Sequence, residues 1–151
     1  MLQQRIGQDL KTALLAGDTT RVSVLRSIKS AITYAEVAKG VKGGDGLGDD
    51  QIMEVLAKEA KKRQEGADAF AKAGATARAE AELSEKDIIN HYLPAALSGE
   101  AIAALVDQVI AGIGEPGPQA MGRIIAEVKR LAGPTADGAV IARLVKERLI
   151  K

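Results

Sequence analysis

Two helical segments joined by a turn can be recognised in Met121-Gly-Arg-Ile-Ile-Ala-Glu-Val-Lys-Arg-Leu131, Gly133-Pro-Thr-Ala-Asp-Gly138 and Ala139-Val-Ile-Ala-Arg-Leu-Val-Lys-Glu-Arg-Leu149. In both segments apolar residues recur at the three- and four-residue spacing of an amphipathic helix. The glycines and the proline between them are typical of a turn. The sequence therefore predicts a helical hairpin over this region.

The predicted hairpin is basic. Residues 119–151 contain seven Lys or Arg against three acidic residues, a net charge of +4, whereas the whole chain carries only +1. A positive segment on a near-neutral protein favours an anionic partner. We predict that five of its residues bind nucleic acid: Arg123, Lys129, Arg130, Arg143 and Lys146.

Lys129 and Arg148 have defined positions on a helical wheel. Lys129 stands beside the small Gly122 and Ala126, which would let either a phosphate backbone or a neighbouring helix approach closely. Arg148 falls within the apolar stripe of the last helix, where we expect it to extend to solvent and complement the helix dipole.

The rest of the chain also favours helices. Of its 151 residues 46% are hydrophobic but only 2% are aromatic, and strands draw on aromatic and β-branched residues. Apolar stripes predict five more helices: one over residues 2–16, one from Asp18 to about Lys39, one capped by Asp49 or Asp50 and ended by Gly74, one that carries Tyr92 and stops at Pro94, and one capped by Ser98. We predict an all-α protein with a four-helix bundle over residues 1–96 and a three-helix bundle over residues 97–151.

Several classes of function are disfavoured by what the sequence lacks. No cysteine is present, which excludes disulfides and thiolate metal sites. The single histidine, His91, has no second histidine for a ligand set and no nucleophile motif around it. No run approaches the ~20 apolar residues of a membrane span, and the first residues do not read as a signal peptide. We expect a cytoplasmic monomer with no catalytic residue, no cofactor, no metal and no membrane partner.

Residues 40–48 form the only extended glycine-rich segment, Gly-Val-Lys-Gly-Gly-Asp-Gly-Leu-Gly. A phosphate-binding loop would end in Lys followed by Ser or Thr and would follow a strand. Because neither condition holds, we interpret the segment as a flexible connection between helices.

Three charged residues fall on apolar helix faces. Glu59 and Arg63 are four residues apart on the apolar side of their helix, and Arg21 lies in the apolar stripe of another. Such charges must be paired or lie at a binding surface. We expect a structural ion pair of Glu59 with Arg63, Arg21 or both, and keep a binding surface as the alternative.

A succession of segments along nearly the whole chain resembles a known family. The segments are Arg21-Val-Ser-Val-Leu-Arg-Ser-Ile-Lys-Ser-Ala-Ile32, Lys58-Glu-Ala-Lys-Lys-Arg-Gln-Glu65, Phe70-Ala-Lys-Ala-Gly74, His91-Tyr-Leu-Pro94, Met121-Gly-Arg123 and Ala136-Asp-Gly-Ala-Val140. Together and in this order they resemble the YqeY-like family.

The C-terminal part is also similar to the tail domain of the B subunit of glutamyl/aspartyl-tRNA amidotransferase. The matching positions are Gly122, Val128-Lys129, Gly133, Ala136-Asp137 and Val140. The sequence departs from that tail at Val128, where the subunit usually has Met, and at Pro134 in the turn. The resemblance implies a two-part helical fold and a link to tRNA, because the subunit's tail contacts the tRNA elbow. It does not imply the amidotransferase reaction, whose machinery lies in another domain of the subunit.

Three functions follow in order of preference. The first is a tRNA-associated module without chemistry of its own. The second is an accessory factor that docks on an amidotransferase or another protein, a reading that the small net charge keeps open. The third is an enzyme. By family resemblance alone it would be a carbon–nitrogen ligase with glutamine as amido-N donor. Scarce aromatics argue against recognition of single strands by base stacking, and folded RNA can be recognised through its phosphates.

Another basic cluster, Lys58, Lys61 and Lys62, is interleaved with Glu54 and Glu65. Acidic residues at this spacing form i,i+4 pairs and neutralise the lysines locally. We therefore expect the C-terminal hairpin, and not this cluster, to contact RNA.

Overall fold

Helices account for all the regular structure in a computed structural model that describes residues 1–41, 46–114 and 117–150. They are α1 (Leu2–Ala16), α2 (Thr19–Ala38), α3 (Asp49–Lys72), α4 (Thr76–Asn90), α5 (Gly99–Ile113), a 3-10 helix (Pro118–Ala120), α6 (Met121–Ala132) and α7 (Gly138–Leu149). The predicted all-α class is confirmed for the described residues. Four residues of the glycine-rich segment, 42–45, lie outside them, and so does the prediction made for that segment.

Helix contacts divide the chain into two compact units, Met1–Pro94 and Ala95–Lys151. We call them the N-terminal unit, which contains α1 to α4, and the C-terminal unit, which contains α5 to α7. That each unit folds on its own stays a prediction. Circular dichroism of residues 96–151 alone would check it, since a random-coil spectrum would show that this unit needs the rest of the chain.

Several helix ends follow from local capping chemistry. The side chain of Asp18 accepts a hydrogen bond from the Arg21 amide at 3.1 Å, and that of Ser98 accepts one from the Ala101 amide at 3.1 Å. These bonds satisfy amides that have no partner within the helix. Gly17 ends α1 with a φ of 69°, a left-handed conformation that residues with a side chain rarely adopt.

Two predicted helix ends are wrong. The N-cap of α3 is Gly48 rather than Asp49 or Asp50, because the Gln51 side chain accepts a hydrogen bond from the Gly48 amide at 3.1 Å. Asp49 is engaged elsewhere and accepts from the Leu2 amide at 3.0 Å. At the other end of the unit α4 stops at Asn90, so Tyr92 lies in the turn that follows it.

The core of the N-terminal unit lies where its helices meet. α3 packs along α4, and α2 contacts α1, α3 and α4. The side chains without exposed area are Ile6, Leu25, Ile28, Ile52, Leu56 and Ile89. Fully burying one such side chain stabilises the fold by about 1.5–3 kcal/mol.

The C-terminal unit has a separate core in which α5, α6 and α7 contact one another. Its fully buried residues are Val106, Ile124, Val128, Ile141 and Val145. Because each helix contributes one apolar stripe to this core, the opposite faces of α6 and α7 point to solvent. Among the described residues, no helix combines the length and apolar character needed to span a membrane.

Candidate functional site

The outward sides of α6 and α7 carry the predicted nucleic-acid-binding residues. On α6 the fully buried Ile124 and Val128 face the core, and the basic residues of that helix are exposed. α7 repeats the arrangement around Ile141 and Val145. We call the five exposed residues the basic face: Arg123, Lys129, Arg130, Arg143 and Lys146.

Four members of the basic face have no acidic partner in the part of the chain that the structure describes. Within residues 1–41, 46–114 and 117–150, no acidic group lies within ion-pair distance of Arg123, Lys129, Arg143 or Lys146. Cations in this situation repel each other weakly and attract an anionic partner, an effect that salt screens.

Arg130 differs from the other four. Its Nε donates a hydrogen bond to Oε2 of Glu127 at 3.0 Å. The hydrogen bond from Arg130 holds the pKa of the Glu127 carboxyl below its usual range. Both side chains are exposed, at 68% and 43%, so the pair adds little stability. Its main effect is to neutralise Arg130 locally.

The side chain of Lys129 lies against Gly138, a residue of α7 that a helical wheel of α6 does not include. A Cβ placed on Gly138 would lie 2.9 Å from Cε and 3.0 Å from Nζ of Lys129, so the lysine crosses directly over the first residue of α7. Nothing lies within 4 Å of a Cβ on Gly122, the small residue predicted to stand beside Lys129. The small residue that Lys129 lies against is therefore Gly138 on α7. A helical wheel of α6 alone cannot predict a neighbour on another helix.

Arg148 extends from the apolar stripe of α7 to an acidic partner at the surface. Its Nε donates a hydrogen bond to Asp107 on α5. The side chain is 27% exposed, against 61% for Asp107. Arg148 thus links α7 to α5 and is not part of the basic face.

The N-terminal unit contains an ionic cluster around Arg63. Glu59 is 8% exposed and accepts from Arg63 at 3.0 Å and from Lys62 at 3.0 Å. Arg63 also donates to Glu85 on α4 at 3.2 Å and to Ser27 on α2 at 3.0 Å. The structure therefore brings Glu59 and Arg63 together, and Arg63 joins three helices.

Arg21, the third predicted member of this cluster, lies elsewhere. Its Nε is 3.9 Å from Oδ2 of Asp18, and its side chain is 41% exposed. It lines a polar cavity of about 310 Å³, together with Arg5, Asp9 and Tyr92. Of the two expected partners of Glu59, the structure therefore supplies Arg63 and not Arg21; a shared apolar stripe does not say which helix packs opposite a given turn.

The described residues contain no group of three or more His, Asp or Glu side chains that could hold a metal ion. His91 is exposed in the turn after α4 and borders the same polar cavity.

Comparison with curated proteins gives no match. The model of one family, described as Yqey-like protein, matches residues 3–149. Because this match runs from α1 to the end of α7, the chain belongs to the YqeY-like family.

Proposed function

We propose that this YqeY-like protein is a tRNA-binding module without chemistry of its own, and that the basic face is its binding surface. The observation that carries the proposal is the set of exposed cations on α6 and α7 without acidic partners among the described residues. They lie on two helices that contact each other. Because the apolar stripe of each helix is buried, its cations face outward.

Phosphate contact is the interaction that this surface favours. Residues 119–151 contain no aromatic residue, so the surface offers no ring on which a base could stack. Lysine and arginine bind phosphate oxygens by charge and hydrogen bonding. Recognition of the shape of folded RNA depends largely on such contacts.

The resemblance to the amidotransferase tail supports tRNA as the RNA class. The matching Gly133 and Ala136-Asp137 lie in the turn between α6 and α7. Asp137 caps α7 by accepting from the Ala139 amide at 2.8 Å. The shared residues therefore shape the turn that orients the two basic helices, and the resemblance supports tRNA because the subunit's tail contacts the tRNA elbow.

The lysine cluster on α3 provides an internal comparison. Lys62 donates to Glu59 at 3.0 Å, and the exposed Lys58 and Lys61 share their helix with the exposed Glu54 and Glu65. This mixture of charges attracts a polyanion less than the basic face does.

Filter binding of unfractionated tRNA at several salt concentrations tests the proposal. Wild type should bind with affinity that falls steeply as salt rises. Lys129→Ala should weaken binding and reduce the slope of log K against log salt by about 1. Lys61→Ala is the matched control and should leave both quantities unchanged. No tRNA binding by wild type at low salt would defeat the proposal.

A pull-down from lysate with and without RNase separates this function from docking on a protein. Binding to tRNA predicts that captured material disappears after RNase treatment. A protein partner that is captured equally well after RNase treatment would favour the accessory factor of an amidotransferase or another protein.

A further inference from the structure

We propose that the polar cavity of the N-terminal unit binds the phosphate group of a small organic phosphate. The cavity has a volume of about 310 Å³ and is lined by Arg5, Asp9, Arg21, Ile88, His91 and Tyr92. These residues come from α1, α2, the end of α4 and the turn that follows it. All of them belong to the N-terminal unit, whereas the residues of the basic face belong to the C-terminal unit.

Three of the lining residues hold each other in place. Tyr92 is 7% exposed, and its hydroxyl donates a hydrogen bond to the Asp9 carboxylate. The guanidinium carbon of Arg5 lies 4.9 Å from the centroid of the Tyr92 ring, within the range of a cation–π interaction. Burial, followed by the hydrogen bond to Asp9, raises the pKa of Tyr92. The hydroxyl therefore stays protonated at neutral pH.

The cavity has an excess of positive charge. Arg5 and Arg21 line it against one carboxylate, Asp9, and this carboxylate already accepts from Tyr92. The only acidic group of the described residues within ion-pair distance of Arg21 is the exposed Asp18, at 3.9 Å. For Arg5 no such group is present in the described part of the chain. Guanidinium donors without strong acceptors favour an oxyanion.

Size and shape restrict the anion to a small one. Ligand sites commonly occupy about 300–1,000 Å³, so this cavity of about 310 Å³ is at the lower end. The Tyr92 ring is 7% exposed and has Arg5 over it, so it offers little surface on which a nucleobase could stack. The cavity thus suits a phosphate group that carries a few carbon atoms.

The test is a titration of the isotope-labelled full chain with glycerol phosphate, followed by NMR. Sodium acetate at matched ionic strength is the control anion. We expect saturable shifts of amides near Arg5, Arg21 and Tyr92 with glycerol phosphate but not with acetate. Arg21→Gln should weaken binding about tenfold, the loss expected for one charge-assisted hydrogen bond. Arg26→Gln, an exposed arginine on the same helix, should bind like wild type.

Three results would overturn the proposal: no saturable shift, an equal response to acetate, or unchanged affinity of Arg21→Gln. Arg5→Gln is a second variant, but it also removes a packing contact, so its circular dichroism must match wild type before its affinity is compared. Arg21 is exposed enough that its replacement should not unfold the chain. Lys129→Ala should keep full affinity for glycerol phosphate, which separates this site from the RNA surface.

Discussion

Arg63 and Lys129 both belong to amphipathic helices, yet their surroundings are opposite. Arg63 is 15% exposed and donates to Glu59, Glu85 and Ser27. Lys129 is exposed, and no acidic group of the described residues lies within ion-pair distance of it. The comparison teaches that a charge on the buried side of a helix must be satisfied by the fold, whereas a charge on the outer side can be left to solvent.

Removal of Arg63 should have the largest effect on stability. Arg63→Ala leaves the buried Glu59 with Lys62, whose side chain is 67% exposed, and removes the link between three helices. Breaking a buried pair in this way costs roughly 3–5 kcal/mol. Urea unfolding measures the loss. Arg26→Ala, at an exposed position of α2, should change stability by less than about 0.5 kcal/mol, and similar midpoints for the two variants would contradict the prediction.

Removal of Glu59 should cost less than removal of Arg63. In Glu59→Ala the guanidinium keeps Glu85 and Ser27 as acceptors, so no buried charge is left without a partner. We expect a loss of about 1.5–3 kcal/mol, the range for a hydrogen bond to a charged group, because the second bond, from the 67% exposed Lys62, adds little. The control is Glu54→Ala, at an exposed position of the same helix. If both variants unfold at the same urea concentration, Glu59 contributes no more than a surface residue.

Within the basic face, Arg123 and Arg130 should differ in RNA binding. Arg123→Ala should reduce the salt slope by about 1 if the arginine contacts a phosphate. Arg130→Ala should reduce it by less, because Glu127 already neutralises that side chain. Filter binding of tRNA measures both. A larger loss of salt slope for Arg130→Ala than for Arg123→Ala would contradict the prediction. It would show that RNA displaces Glu127 from Arg130.

A smaller effect is expected from Gly138→Ala. The added methyl group would displace the end of the Lys129 side chain, to which it would come within 2.9–3.0 Å. Because that end is flexible, stability should change by less than about 0.5 kcal/mol. The tRNA affinity should fall, but by no more than it falls in Lys129→Ala. Gly122→Ala, where the new methyl group would meet open space, should bind tRNA like wild type.

The fold could be predicted from sequence because its signals are local. The caps at Asp18 and Ser98 and the apolar stripes depend on residues within a few positions of each other. Partners between helices could not be predicted in the same way. Arg63 and Glu85 are separated by 22 residues and Arg148 and Asp107 by 41. Helical periodicity gives the direction of a side chain but not the helix that it meets, which is also why the sequence leaves Arg21 and Arg63 as alternative partners of Glu59.

Tyrosine fluorescence can report on the polar cavity of this protein. There is no tryptophan, so intrinsic emission comes from Tyr34, which is 78% exposed, and Tyr92, which is 7% exposed. In Tyr34→Phe the remaining fluorophore would be the ring that lies under Arg5 and donates its hydroxyl hydrogen to Asp9. A carboxylate that accepts this hydrogen quenches tyrosine emission. Any ligand that alters the Tyr92–Asp9 hydrogen bond would therefore change the intrinsic fluorescence intensity of Tyr34→Phe, so binding could be followed without a label.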